Sequence, residues 1–189
     1  AVLERSEVEG VSFKGVDLSK LEIANSTFHL CGFEEATFDG LDLTGCVFTE
    51  CSFKNAKLLG TSLAKANCFQ SNFVGADLTG ADLTNVDLQG AILREAKLFE
   101  ANFTGNSLQG ADMQKANFQE ARMSECNLRD ANLREAWMAR ADLRNAILNG
   151  ANLREATLNE VNLRGAHLRG ADLHETVLSQ AEYDGKTEW

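Results

Sequence analysis

From Leu3 onward every fifth residue is large and apolar. The 37 positions from Leu3 to Tyr183 hold 21 Leu, 9 Phe and 3 Met, and the rest are Val8, Ile23, Cys68 and Tyr183. Two residues earlier in each unit the side chain is small: 21 of the 37 positions from Ala1 to Ala181 are Ala, and Asn106 is the one amide among the others. The residue between the two is commonly Asp or Asn, as at Asp77, Asp82 and Asp87. Of the 15 glycines, 14 lie two residues after the large site, with Gly32 the exception.

A repeat that fills a chain decides its fold before any local propensity is weighed. On a helix, which advances about 100° per residue, a five-residue beat drifts round the surface and leaves no apolar stripe. In an extended segment, residues two apart share a face, so the small and large sites point inward together and the Asp or Asn between them points out. The remaining two residues make a corner, where glycine is enriched because it accepts positive φ. Phe13, Phe33, Phe53 and Phe73 recur every 20 residues, so four units close one coil and these rings form a core ladder. At about 4.8 Å per hydrogen-bonded rung, some nine coils give a rod of roughly 43 Å, filled by its own side chains. The expected fold class is therefore all-β, a four-sided parallel solenoid of about nine coils.

Composition agrees with a regular architecture. Among 189 residues there is no Pro, and 44% are hydrophobic, enough for a continuous core. The net charge of −10 disfavours direct contact with nucleic-acid backbones or anionic membranes and permits a basic protein partner. No run approaches the roughly 18 apolar residues of a membrane span. The chain opens on Ala1, already in register, so a targeting segment or another domain is an open expectation upstream.

Units such as Ala76-Asp77-Leu78-Thr79-Gly80, Ala81-Asp82-Leu83-Thr84-Asn85 and Ala151-Asn152-Leu153-Arg154-Glu155 resemble the A(D/N)LXX units of the pentapeptide repeat family. The resemblance extends from Ala1 to Gly185, leaving residues 186–189 as a capping tail that ends in Trp189. It implies a right-handed quadrilateral parallel β-helix. The tail from Tyr183 to Trp189 is similar to that of cyanobacterial members, which implies a cyanobacterial or chloroplast-lineage source. The resemblance also implies two functions to weigh. One is a non-catalytic interaction or scaffold module. The other is DNA mimicry directed at a type II topoisomerase, as inhibition or protection of gyrase.

No catalytic group, cofactor site or metal site is expected. All five cysteines fall at inward positions, Cys31, Cys46, Cys51 and Cys126 at the small site and Cys68 at the large one. They lack zinc-ligand spacing and suit a reducing compartment, so a cytoplasmic location is expected, with periplasm and thylakoid lumen as alternatives. Cys31 and Cys51, 20 apart, are expected to stack as free thiols. His29, His167 and His174 are outward and solvated. Asn106 is expected to hydrogen-bond a neighbouring carbonyl, since a buried amide without a partner is costly.

The candidate interaction surface combines the carboxylates Glu22, Asp42, Asp77, Asp82 and Asp87 with Phe99 and Trp137. A DNA duplex of this length carries roughly 25 negative charges at one per 1.7 Å, so a mimic with a net charge of −10 is dilute. Residues 1–90 contain 13 acids and 6 bases, a net −7, so mimicry would belong to that half. Aromatic anchors dominate protein interfaces, which makes the Phe99 and Trp137 side the expected place for a lateral protein partner. The first coil carries no visible lid over its strand edges, and end-to-end self-association through that coil is expected as a way to cover them.

Overall fold

A computed structural model describes residues 2–189, and the first small-site residue, Ala1, lies outside the described residues. The chain winds as a right-handed, four-sided parallel β-helix. With few exceptions an outward residue pairs in parallel with the residue 20 positions on: Asp42 with Ser62 on the first wall, Asn67 with Asp87 on the second, Ile92 with Asp112 on the third, Asn117 with Trp137 on the fourth. Only five segments near the N-terminus extend into three-residue strands. These are β1 (Val2–Glu4), β2 (Glu7–Glu9), β3 (Glu22–Ala24), β4 (Thr27–His29) and β5 (Val47–Thr49). They form one sheet of β1-β3 and one of β2-β4-β5. Elsewhere each wall is a stack of single-residue bridges.

The reason for this difference lies in the corners. In most units the N–H after the corner donates to the carbonyl of the large site three residues back, as Ala81 does to Leu78 at 3.0 Å. The residue before that donor has positive φ, the mark of a type II turn. Positive φ is not confined to glycine, for 22 other residues share it, Glu125 at 62° and Lys115 at 57° among them. At five corners, those following β1 to β5, the turn bond is missing and the carbonyl of the large site is left without it.

Each of these carbonyls meets a side-chain donor from the small site 23 residues on. Ser26 Oγ donates to Leu3 O at 2.8 Å and Ser71 Oγ to Phe48 O at 2.6 Å. The thiols of Cys31, Cys46 and Cys51 point at Val8 O, Ile23 O and Phe28 O, at 3.5, 3.9 and 3.4 Å. Each of these corners is thus met by a donor at the small site one coil on, because a buried carbonyl needs a partner, although Thr61, Asn106, Cys126 and Thr176 donate to carbonyls whose turn bond is also made.

The core is continuous from Leu18 to Leu168. Phe53 stacks on Phe73 with ring centroids 4.8 Å apart and planes 1° from parallel, and Phe13 and Phe33 continue the column at 5.1 Å. Side chains one coil apart face each other at the rung spacing, so like residues stack offset.

Three local features depart from the sequence expectation. Glu182 pairs with Asn162 but Glu188, not residue 187, pairs with His167, so one extra residue enters the last corner. Tyr183, expected inward, is consequently 63% exposed, and its ring stands edge-on to that of Trp189 at 5.6 Å. Thr187, rather than Lys186, takes the following small site and donates to Leu163 O at 2.9 Å. In addition, the ladder is interrupted twice among the described residues. The Glu22–Asp42 rung is absent from the first wall, where Leu21 and Leu41 occupy consecutive small sites, and the Asp87–Ser107 rung is absent from the second.

Ser71→Ala removes the acceptor of the Cys51 N–H and the donor to Phe48 O together. It is expected to lower stability by about 2 kcal/mol in urea denaturation, the cost of orphaning buried polar groups. Ala76→Gly, at a self-closing corner, serves as the packing control, with an expected loss of about 1 kcal/mol.

Candidate interaction surface

The outward Asp and Asn side chains are bound to their own backbone. Asp42 Oδ1 accepts the Thr44 N–H at 3.0 Å, Asp82 Oδ1 the Thr84 N–H at 3.0 Å, and Asp87 Oδ1 the Gln89 N–H at 3.0 Å. Asn67, Asn72 and Asn152 make the same bond to the residue two further on. This local turn is what the position requires, and an amide oxygen meets the requirement as well as a carboxylate does. For Asp42 the Thr44 hydroxyl and N–H hold the carboxyl below its ordinary range. Burial pushes the Asp77 carboxyl up, but Thr79 and Lys97 outweigh it and the net shift is downward. The sequence signal for this role was the free interchange of Asp with Asn at one position, which a site selected for charge would not tolerate.

The seven residues singled out from the sequence do not form one patch. Glu22, Asp42 and Asp82 lie on the first wall, Asp87 on the second, and Asp77 and Trp137 on the fourth. Phe99, expected to be exposed, is half-buried at a corner. Its N-terminal neighbour Leu98 is fully buried, and the Phe99 carbonyl accepts the Gly80 N–H at 2.8 Å, so the corner backbone sits close against the coil beneath.

Trp137 is different. It occupies the outward position of the fourth wall between Asn117 and Thr157, and its side chain stands 54% exposed because neither rung neighbour is large enough to cover an indole. Beside it runs a groove of about 690 Å³ lined by Glu95, Lys97, Lys115, Glu135 and Glu155. Most of these charges are already engaged. Arg134 bonds Glu155 at 2.8 Å and Glu135 at 3.3 Å, Lys115 reaches Glu135 at 3.5 Å, and Lys97 reaches Asp77 at 3.4 Å. Glu95 has no ion-pair partner among the described residues. Exposed pairs of this kind contribute at most about 1 kcal/mol each, so their effect is to fix the groove's walls rather than to hold the fold.

Nothing in the interior offers reactive chemistry. The five cysteines are free and buried. Burial pushes the thiols of Cys51 and Cys126 up to about 12, and those of Cys46 and Cys68 up as well. A thiolate nucleophile needs the opposite shift. No group of three or more His, Cys, Asp or Glu side chains among the described residues is placed to hold a metal ion. The histidines are engaged at the surface: His167 Nδ1 with Glu188 at 2.9 Å, His174 with Glu175 at 3.3 Å, and His29 Nδ1 with the Thr49 hydroxyl at 3.0 Å.

Two outcomes follow from this chemistry. Asp82→Asn is expected to leave the denaturation midpoint unchanged, whereas Asp82→Leu, which cannot accept the Thr84 N–H, costs about 1 kcal/mol. Separately, an unfolded thiol ionises near pH 8.5 (about) while Cys51 and Cys126 stay neutral in the fold up to about 12. The stability they contribute is full below roughly pH 8.5 and declines as the pH rises from there toward 12. Urea midpoints measured from pH 8 to pH 11 should fall less steeply in a Cys51→Ser/Cys126→Ser variant, which keeps the donors without the titrating thiols.

The comparisons with known proteins agree with this geometry. The family profile for pentapeptide repeats matches in 8 copies, over residues 96–134, 126–165, 136–174 and 146–182. A second profile, for a pentapeptide repeat region, matches residues 26–103. No curated protein sequence matches. Among solved structures, full-length QnrB1, a plasmid-mediated fluoroquinolone resistance protein, aligns over 98% of this chain and 94% of its own, at 18% identity and a TM-score of 0.65. A trypsin-treated QnrB1 variant aligns over 98% and 93%, at 21% identity and a TM-score of 0.59. HetL, from the cyanobacterium Nostoc, is 27% identical over 96% of this chain and 86% of its own, with a TM-score of 0.36. The likeness to QnrB1 is one of fold. With the profiles spanning most of the solenoid and every coil built from the same five-residue unit, the chain belongs to the pentapeptide repeat family.

Proposed function

We propose that the chain is a non-catalytic protein-interaction module that presents the fourth wall of its solenoid to a protein partner, with the Trp137 groove at the centre of contact. One observation carries this reading: a half-exposed indole standing beside a groove whose charged walls are already cross-braced. Large aromatic side chains at the centre of a contact supply most of its binding energy, and preformed walls spare the entropy of ordering them. Glu95, without an ion-pair partner, adds a point of attraction for a basic residue on the partner.

Replacing Asn117 or Thr157, the rung neighbours of Trp137, by a photo-crosslinking residue tests this in extracts of the source organism. A discrete adduct is expected, reduced about 30-fold or more by Trp137→Ala, which corresponds to a loss of roughly 2 kcal/mol for an anchor of this kind. The backbone of the rung is untouched by that substitution, so its melting temperature should match the parent protein. An adduct indifferent to Trp137→Ala would overturn the reading.

A second reading, modulation of a type II topoisomerase by DNA mimicry, is favoured by the acidic N-terminal half, net −7 over residues 1–90 against −3 over the rest, from 15 acids and 12 bases. QnrB1, similar in fold, is a fluoroquinolone resistance protein. Under this reading a titrated gyrase supercoiling assay shows inhibition or drug protection, and Asp42→Asn/Asp82→Asn weakens it while leaving the fold intact. Under the first reading the assay is flat.

A further inference from the structure

The wall that carries Asp87 is open. Wherever the solenoid is regular, the large-site N–H donates to the outward residue's carbonyl 19 positions on, as Leu83 does to Asn102 at 2.9 Å and Leu93 to Asp112 at 2.9 Å. Between these two intact bonds, Leu88 N–H has no acceptor among the described residues, and neither do the N–H groups of Asn85, Gly90, Ser107 and Asp112. Five members of the ladder are therefore missing between this one pair of coils, from the corner before the second wall to the start of the third. A cleft of about 400 Å³ lies there, between Val86, Asp87 and Leu88 on one coil and Ser107 and Leu108 on the next.

The cause is legible in one side chain. Asn106 is 3% exposed, in a site that is alanine in most units. Its Nδ2 donates to Leu83 O at 2.6 Å, the same kind of bond across 23 residues that Thr61 makes to Phe38 O at 3.0 Å and Cys126 to Phe103 O at 2.9 Å. Around Thr61 and Cys126 the ladder is complete, as in the bonds of Leu43 N–H to Ser62 O and Leu108 N–H to Asn127 O, both 2.8 Å, which correspond to the missing bond of Leu88 N–H. The carboxamide arm is one atom longer than a hydroxyl or thiol arm, and it must fit between its own coil and the carbonyl it reaches. It also brings a second polar atom: Asn106 Oδ1 is buried and has no hydrogen-bond partner. Leu21 and Leu41 produce the same result on the first wall by apolar bulk alone.

We propose that Asn106 is a wedge that makes the second wall a built-in opening seam between the coils at residues 85–91 and 104–112. The seam divides the rod into two cooperative blocks that part locally there, well below the free energy of global unfolding. The freed N–H groups and Asn106 Oδ1 take water when it parts. A buried amide with one unmet atom and five unpaired backbone donors sit within a single rung, so opening there forfeits few bonds that are not already lost.

Residue-resolved amide hydrogen exchange on the intact protein tests this. In the native protein, Leu88, Gly90 and Ser107 should exchange at least about 100-fold faster than the bonded amides of Leu83, Leu93 and Leu108. Asn106→Ala should slow the three seam amides to the rate of their neighbours, and Asn106→Thr, which keeps a donor on a shorter arm, should do the same. Apart from Asp112, the third and fourth walls should be unchanged in both. Seam amides as protected as Leu83 and Leu93 in the native protein would overturn the proposal, whether or not the variants fold. Faster seam exchange in Asn106→Ala would overturn it too, since that result would make the amide a clasp rather than a wedge.

Discussion

Every coil of this solenoid must meet its neighbours at one fixed spacing, because the backbone of each wall is satisfied only by the coils above and below. That spacing leaves the interior no freedom. Each unit can insert one large and one small side chain, and the stacked Phe13, Phe33, Phe53 and Phe73 show how closely the lateral fit follows the rung distance. A sequence that repeats every five residues is the record of that geometry. The same constraint explains why departures are so visible: one amide, or one pair of leucines, at a small site is enough to cost a wall its bonds.

Charge is a secondary matter in this molecule, although the composition suggests otherwise. Much of the outward Asp set serves the backbone, and the arginines of the C-terminal half are tied diagonally, Arg134 to Glu155 and Arg154 to Asp172, across adjacent coils. The proposed contact accordingly rests on the groove beside the uncovered Trp137 indole rather than on the acidic residues. Because the fold fills its own interior, recognition falls to side chains on the walls, and the wall with the largest uncovered aromatic is the one best equipped for it.

The architecture was legible in the sequence because periodicity is a global property that no single residue can hide. The four-unit coil followed from the Phe recurrence alone. Three things were not legible. The local bond of each Asp or Asn to the N–H two residues on looks, in sequence, like an acidic face, and only the interchange of Asp with Asn at that position points away from it. The pairing of Ser26, Cys31, Cys46, Cys51 and Ser71 with carbonyls 23 residues back requires knowing which corners fail to close themselves, and nothing in the corner residues announces that. Tyr183 keeps the five-residue beat in sequence yet leaves it in space, because the phase slip at the last corner depends on where Glu188 finds its partner.

The corners carry a consequence of their own. At nearly all of them the chain briefly adopts the backbone region natural to the opposite enantiomer, Lys20 and Gly185 being exceptions, and it does so with glutamate, lysine, asparagine and leucine as well as with glycine. An L-residue held there is disfavoured by roughly 1 kcal/mol or more when considered alone, so the conformation persists through the coils on either side. At Gly80 no heavy atom lies within 4 Å of the Cβ an L-residue would carry, so only the backbone conformation, not the space, favours glycine there. The winding of this rod thus rests on a periodic inversion of chirality, imposed collectively on residues that would not choose it singly.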